Sequence, residues 1–203
     1  MINQNKSPCI FLLSGTPGTG KTSIAQHLFN QYQLKFLSLS DVIIQHNLYA
    51  AEDPKRDTKI IDEQKVHNFL TRYLLGLSED LLIEGHYADI VNHPAISTAI
   101  ILRCHPNKLG MRLESRGFSL PKRQENLEAE FLGDSTSFML EKEELANSQR
   151  IFEIDTTSMT IAEAAELVYV ILHHPEKYDA FRVGIISWLS DPSVDLTLWT
   201  TRL

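Results

Sequence analysis

Residues 15 to 23 read GTPGTGKTS. Gly15, Gly18 and Gly20 are separated by small side chains, and Lys21, Thr22 and Ser23 follow directly. Glycines let the backbone take turns that a β-carbon would block, so successive N–H groups can point inward and cradle an anion. The N-terminus of a following helix adds about half a positive charge at the same spot. The spacing is G-x-x-x-x-G-K-[ST], in which the lysine reaches the β- and γ-phosphates of a nucleoside triphosphate such as ATP and the hydroxyl coordinates Mg²⁺. Gly15, Gly18, Thr19, Gly20, Lys21, Thr22 and Ser23 are therefore the candidate triphosphate cradle, with Thr22 the candidate metal hydroxyl.

Such a cradle needs an acidic residue at the end of a neighbouring strand to hold the ion. Leu81-Leu82-Ile83-Glu84 supplies one, early enough in the chain to lie beside the first strand. Asp155 also ends an apolar run, but Asp155-Thr156-Thr157 reads as readily as a helix cap. His86 either orients a water or phosphate or is a structural histidine. Residues 103 to 123 carry Arg103, Lys108, Arg112, Arg116, Lys122 and Arg123 against the single Glu114, which points to one local anionic ligand or to a solvated basic helix face. Lys108, Arg112 and Arg116 repeat at four-residue spacing and share one helix face. Arg116 precedes Gly117 at the hinge of a short segment ending in Lys122-Arg123, the layout of a cationic lid that clamps a transferring phosphoryl group and excludes water.

The acceptor leaves a weaker mark. A hydroxyl acceptor benefits from a carboxylate base, whereas a phosphate acceptor is already ionised and needs cations. Asp41 is either such a base or a helix cap. Lys55, Arg56 and Lys59 suit a monophosphate and are equally ordinary loop charges.

The elements that must position these groups alternate. CIFLLS (9–14), KFLSLS (35–40), DLLIEG (80–85), TAIILR (98–103) and IFEID (151–155) predict five short apolar strands. Helices are expected over 21–32, after Asp41, over 63–75, from Pro106 to about Arg116, from Arg123 to Ala146 and over 161–172. Residues 48–61 read as irregular, and FSLPKR (118–123) as a loop. Alternation of this kind predicts an α/β protein with a parallel sheet covered on both faces and a site at the C-terminal strand ends.

Length fits one domain with a small appendage: 203 residues, 43% of them hydrophobic. The net charge of −7 argues against a nucleic-acid coat and against sequence-specific nucleic-acid binding. No apolar run approaches a membrane span, and the N-terminus lacks a signal segment, so a cytoplasmic location is expected. Cys9 and Cys104 read as reduced core residues.

Taken together, GTPGTGKTS, LKFLSLSD, IIDEQKV, LIEGHYADI, ILRCHPNKLGMRLESRGFSLPKRQENLEAE and FEIDTT resemble the small archaeal adenylate kinase family, the counterpart of the eukaryotic nuclear adenylate kinase isoenzyme six group. The resemblance runs from residue 9 to about 172. It implies a three-layer P-loop kinase with a five-stranded parallel sheet and transfer of the ATP γ-phosphoryl to AMP or another nucleoside monophosphate, with Mg²⁺ and a weak ATPase activity. It also implies a link to maturation of the small ribosomal subunit through ribosomal protein uS11. On this basis residues 1–174 form the kinase domain. Residues 38–61 bind the monophosphate, with Ser38, Asp41, Arg56, Lys59 and Ile61 as contacts. Residues 115–125 form the lid. Lys21, Arg116 and His86 are the expected catalytic groups, Arg112 and Arg116 contact ATP, and Thr22 and Glu84 hold the metal. The chain departs from the family in having Glu84 where Asp is usual and Phe118 where the lid turn has tyrosine. Residues 175–203, which hold Trp188 and Trp199, are either a strap on the domain or a partner surface.

Overall fold

The computed structural model describes residues 7–53, 58–142, 145, 150–195 and 197. Five strands, β1 (Ile10–Ser14), β2 (Lys35–Ser38), β5 (Leu81–Glu84), β6 (Ile96–Arg103) and β7 (Ile151–Asp155), form one sheet in the order β2-β5-β1-β6-β7. Every neighbouring pair is parallel. The three-layer α/β architecture expected from the sequence is the one adopted. A separate antiparallel hairpin joins β3 (Tyr49–Asp53) to β4 (Thr58–Ile61).

The apolar strands explain the layers. Side chains alternate across a strand, so a run apolar at every position must be covered on both faces. Ile10 and Leu12 of β1 point into one core, with residues of α2 (Leu39–Gln45), α3 (Glu63–Leu74) and α6 (Asp134–Leu140). Phe11 and Leu13 point into the other, with α1 (Lys21–Tyr32) and α7 (Ile161–His173). The last helix opens with a capping box, Thr160 and Glu163 each holding the other's backbone N–H.

Four local expectations are corrected. Within 48–61, expected to be irregular, Tyr49–Asp53 and Thr58–Ile61 are paired strands, and β3 is exposed along most of its length. The helix after β2 is capped by Ser38, whose side chain accepts from the Asp41 amide, so Asp41 lies in the first turn instead of capping it. FSLPKR is not a loop throughout, because α5 (Leu120–Leu132) starts within it after Ser119. The single long helix expected from Arg123 to Ala146 is broken at Gly133, between α5 and α6, where a φ of 77° is a left-handed helix-ending conformation.

α4 (Pro106–Ser115) and α5 pack through Leu109, Leu113, Leu127 and the buried Cys104, with Phe118 against them. Residues 175–195 run as a strap on the domain. Tyr178 and Phe181 pack on the α1/α7 core, and Trp188 is buried. Trp199, Lys55 and Arg56 lie outside the described residues. Among the described residues, no helix is long and apolar enough to cross a membrane.

Candidate nucleotide site

The β1–α1 turn is built for a close backbone approach. Gly15, Gly18 and Gly20 have φ of 137°, 96° and 110°. A β-carbon on Gly15 would stand 2.4 Å from the Leu102 carbonyl oxygen of β6, so only glycine fits against that central strand. Thr19 closes the turn, its hydroxyl and its amide donating to the Thr16 carbonyl at 2.8 and 3.2 Å. The Lys21 ammonium donates to the carbonyls of Gly15 and Thr16 at 2.6 and 3.2 Å. Burial lowers its pKa to about 8, against the attraction of Glu84 and Glu130.

Around this loop opens a cavity of about 200 Å³ walled by Pro17, Gly18, Gly20, Lys21, Thr22, Ser23, Ser40, Glu84, His86 and Arg116. Parallel registry puts Glu84 there: it is the last residue of β5, opposite Leu13 of β1 and Ser38 of β2. The Thr22 hydroxyl donates to Glu84 Oε1 at 3.1 Å, and Glu84 is nearly fully buried. These are two hard oxygen donors side by side, the donor type that Mg²⁺ selects. His86 Nδ1 lies 3.3 Å from the Gly15 carbonyl. A carbonyl only accepts, so Nδ1 carries the proton and Nε2 is left as an acceptor. Burial, followed by repulsion from Lys21, pushes the His86 pKa down to about 4, so the ring is neutral at pH 7.

The lid residues divide. Arg116, the C-terminal cap of α4, reaches the cavity wall. Gly117 follows with φ of 74°, and the amides of Gly117 and Phe118 return to the carbonyls of Glu114 and Leu113. Arg112 instead donates to the Thr156 hydroxyl and carbonyl at 3.3 and 2.7 Å. Thr156 in turn donates to the Thr19 carbonyl at 3.0 Å, so Arg112 stands behind the phosphate loop and not on the cavity wall. Arg103, counted among the cations for an anionic ligand, is buried between Glu130 and Glu153 at 2.8 Å each. Arg123 and Lys122 pair with Glu114 and Glu125.

The expected monophosphate contacts are scattered. Ser38 caps α2, and Asp41 is exposed. Lys59 pairs with Glu52 across the hairpin and lies over the Tyr49 ring, and Ile61 packs against the α2/α3 core. Among the described residues of this segment Ser40 lines the cavity, and sequence reading missed it. Its signal was available: it lies within a turn of the strand end, on the same edge as the loop.

A five-stranded parallel sheet with this phosphate loop and these convergent charges defines a P-loop kinase. The AAA domain family model matches residues 11–133. A protein of Methanosarcina barkeri named "Putative adenylate kinase" is 34% identical, the match covering 87% of this chain and 96% of the relative. The "Adenylate kinase isoenzyme 6 homolog" of Schizosaccharomyces pombe is 36% identical over 65% of this chain and 74% of its own length. In fold, a thymidylate kinase of Candida albicans superposes with a TM-score of 0.55 at 12% identity, covering 83% of this chain and 92% of its own. A shikimate kinase of Bacteroides thetaiotaomicron gives 0.54 at 16% identity, covering 81% and 98%. The chain belongs to the adenylate kinase family that joins the archaeal proteins to the isoenzyme 6 homologs.

Proposed function

We propose that the protein transfers the γ-phosphoryl group of ATP to AMP, with other nucleoside monophosphates as lesser acceptors. The observation that carries this reading is the convergence of Lys21, Thr22, Glu84, His86 and Arg116 on one cavity at the C-terminal edge of the sheet. Phosphoryl transfer asks mainly for positioning and for neutralisation of charge on the moving group. The glycine turn supplies inward-pointing amides, and the Lys21 ammonium exchanges its loop carbonyls for phosphate oxygens. Arg116 comes in from the opposite wall, at the end of α4, where closure of the Gly117 turn would exclude water. Thr22 and Glu84 are the residues that would hold Mg²⁺, which when bound neutralises charge on the β- and γ-phosphates. The neutral His86, with Nε2 free to accept, suits it to orient a water or an acceptor, and a weak ATPase activity follows from the same geometry.

Asp41, the candidate base for a hydroxyl acceptor, is exposed and off this cavity wall, and the relatives named adenylate kinase favour the phosphate acceptor. The assembly-factor role rests on the resemblance alone, and pull-down of uS11 with and without nucleotide tests it. The central test is a coupled assay across AMP, CMP, UMP and a shikimate-like hydroxyl acceptor, run on the parent and on Lys21→Ala. We expect AMP to be turned over fastest and Lys21→Ala to lose about a hundredfold or more in rate. Equal rates in the two proteins, or no ADP from ATP and AMP, overturn the proposal.

A further inference from the structure

Glu130, near the end of α5, is 1% exposed and takes donors from three separate parts of the chain. Its Oε2 accepts the Thr16 hydroxyl of the phosphate loop at 2.6 Å. Its Oε1 accepts Arg103 Nε at 2.8 Å and the Cys104 amide at 3.1 Å, both at the end of β6. The same oxygen accepts the Trp188 indole N–H of the strap at 3.0 Å. Thr16 is itself a hub, because its carbonyl receives the Lys21 ammonium and the Thr19 hydroxyl. One carboxylate therefore separates the strap from the loop that grips phosphate.

The strap is also fastened to β7 and to α4, the helix that carries Arg116 at its end. Gly184 N–H donates to Glu153 Oε2 at 2.8 Å. Asn107, in the first turn of α4, donates to the Ser193 carbonyl at 2.9 Å, and the His105 ring lies edge-on to Trp188 at 5.2 Å. The indole N–H, buried with its ring, needs an acceptor, and the acceptor it takes is the carboxylate that also holds the phosphate loop. A carboxylate fixed by four donors has little rotational freedom, and a loop held in its binding geometry loses less entropy when it orders around a ligand.

We infer that the C-terminal strap is a working part of the nucleotide site: Trp188, acting through the Glu130 carboxylate, positions Thr16 and with it the phosphate loop. This rests on the reading of the cavity as a triphosphate site. Trp188 is a positioning residue, and its effect falls on ATP and not on the monophosphate. By reciprocity, ATP tightens the strap as much as the strap tightens ATP.

The test is a double-mutant cycle on the full chain. Trp188→Phe keeps an aromatic ring, though a smaller one, and loses the N–H, and Thr16→Val loses the hydroxyl at similar volume. Calorimetry with a non-hydrolysable ATP analogue and Mg²⁺ should show each variant weakened about fivefold, the size of one hydrogen bond. The double variant should be no weaker than the weaker single one, because both cut the same chain, and the KM for AMP should be unchanged. If Trp188→Phe binds the analogue as the parent does and only melts earlier, or if the two effects multiply, the inference fails. A parent that binds no analogue removes the triphosphate reading, and this inference falls with it. Should Trp188→Phe not fold, a Trp199→Phe chain reports through Trp188 fluorescence. Its emission should shift with ATP and saturate at the calorimetric affinity, and an unmoved emission overturns the inference.

Discussion

Replacing Arg103 by methionine tests how the middle of the molecule is held. The guanidinium is 3% exposed. It donates to Glu130 Oε1 at 2.8 Å, to the Glu130 carbonyl at 2.9 Å and to Glu153 Oε1 at 2.8 Å. Burial alone would lower its pKa, but the Glu130 and Glu153 carboxylates outweigh that and hold it above the ordinary arginine value. Methionine fills similar volume and leaves the Glu130 and Glu153 carboxylates buried without the guanidinium between them. Breaking a buried ion pair from one side costs about 3–5 kcal/mol. At about 2–4 °C per kcal/mol for a chain of this size, the melting temperature should fall by roughly 6–20 °C. Thermal melts of parent and Arg103→Met followed by circular dichroism measure the loss. A loss below about 1 kcal/mol, the worth of an exposed pair, would refute the reasoning.

Two further outcomes follow from the same structure. Gly117→Ala places a side chain at φ of 74° in open space and should cost about 1–2 kcal/mol, whereas Gly15→Ala adds a collision with the Leu102 carbonyl and should cost clearly more in a chemical denaturation series; equal losses would contradict this. The buried Cys104 thiol is pushed up to about 12 by burial, so a thiol probe at pH 8 should react at one site, Cys9, in the folded protein and at two in denaturant; two prompt equivalents without denaturant would count against it.

The phosphate loop and all five sheet strands were legible because their cause is local. Each strand is a short apolar run ended by a polar or turn-forming residue, and the glycine spacing carries its own geometry. The β3–β4 hairpin was hidden because YAAED, half solvent-facing, shows no clean alternation of apolar and polar positions. The break between α5 and α6 did have a signal, Gly133, a helix-ending residue set in an otherwise helical stretch. Arg103 misled for a different reason. It opens a segment in which Lys108, Arg112 and Arg116 follow, but its partners are Glu130 and Glu153, 27 and 50 residues away. The same holds for Ser40, Glu130 and Trp188: what they do depends on contacts across the fold, which periodicity does not encode.

The strap also bears on how the protein behaves in crowded solution. β7 is an outer strand of the sheet, and a bare outer strand is a template on which a second molecule can add its own. Arg182 forms an antiparallel bridge to Phe152, and the Val183 amide donates to the Ile151 carbonyl at 3.1 Å, so ladder groups on that strand are already taken. The Arg182 guanidinium over the Phe152 ring adds a charge at the same margin. A chain cut after the last helix would therefore expose a sticky border, and self-association would compete with folding.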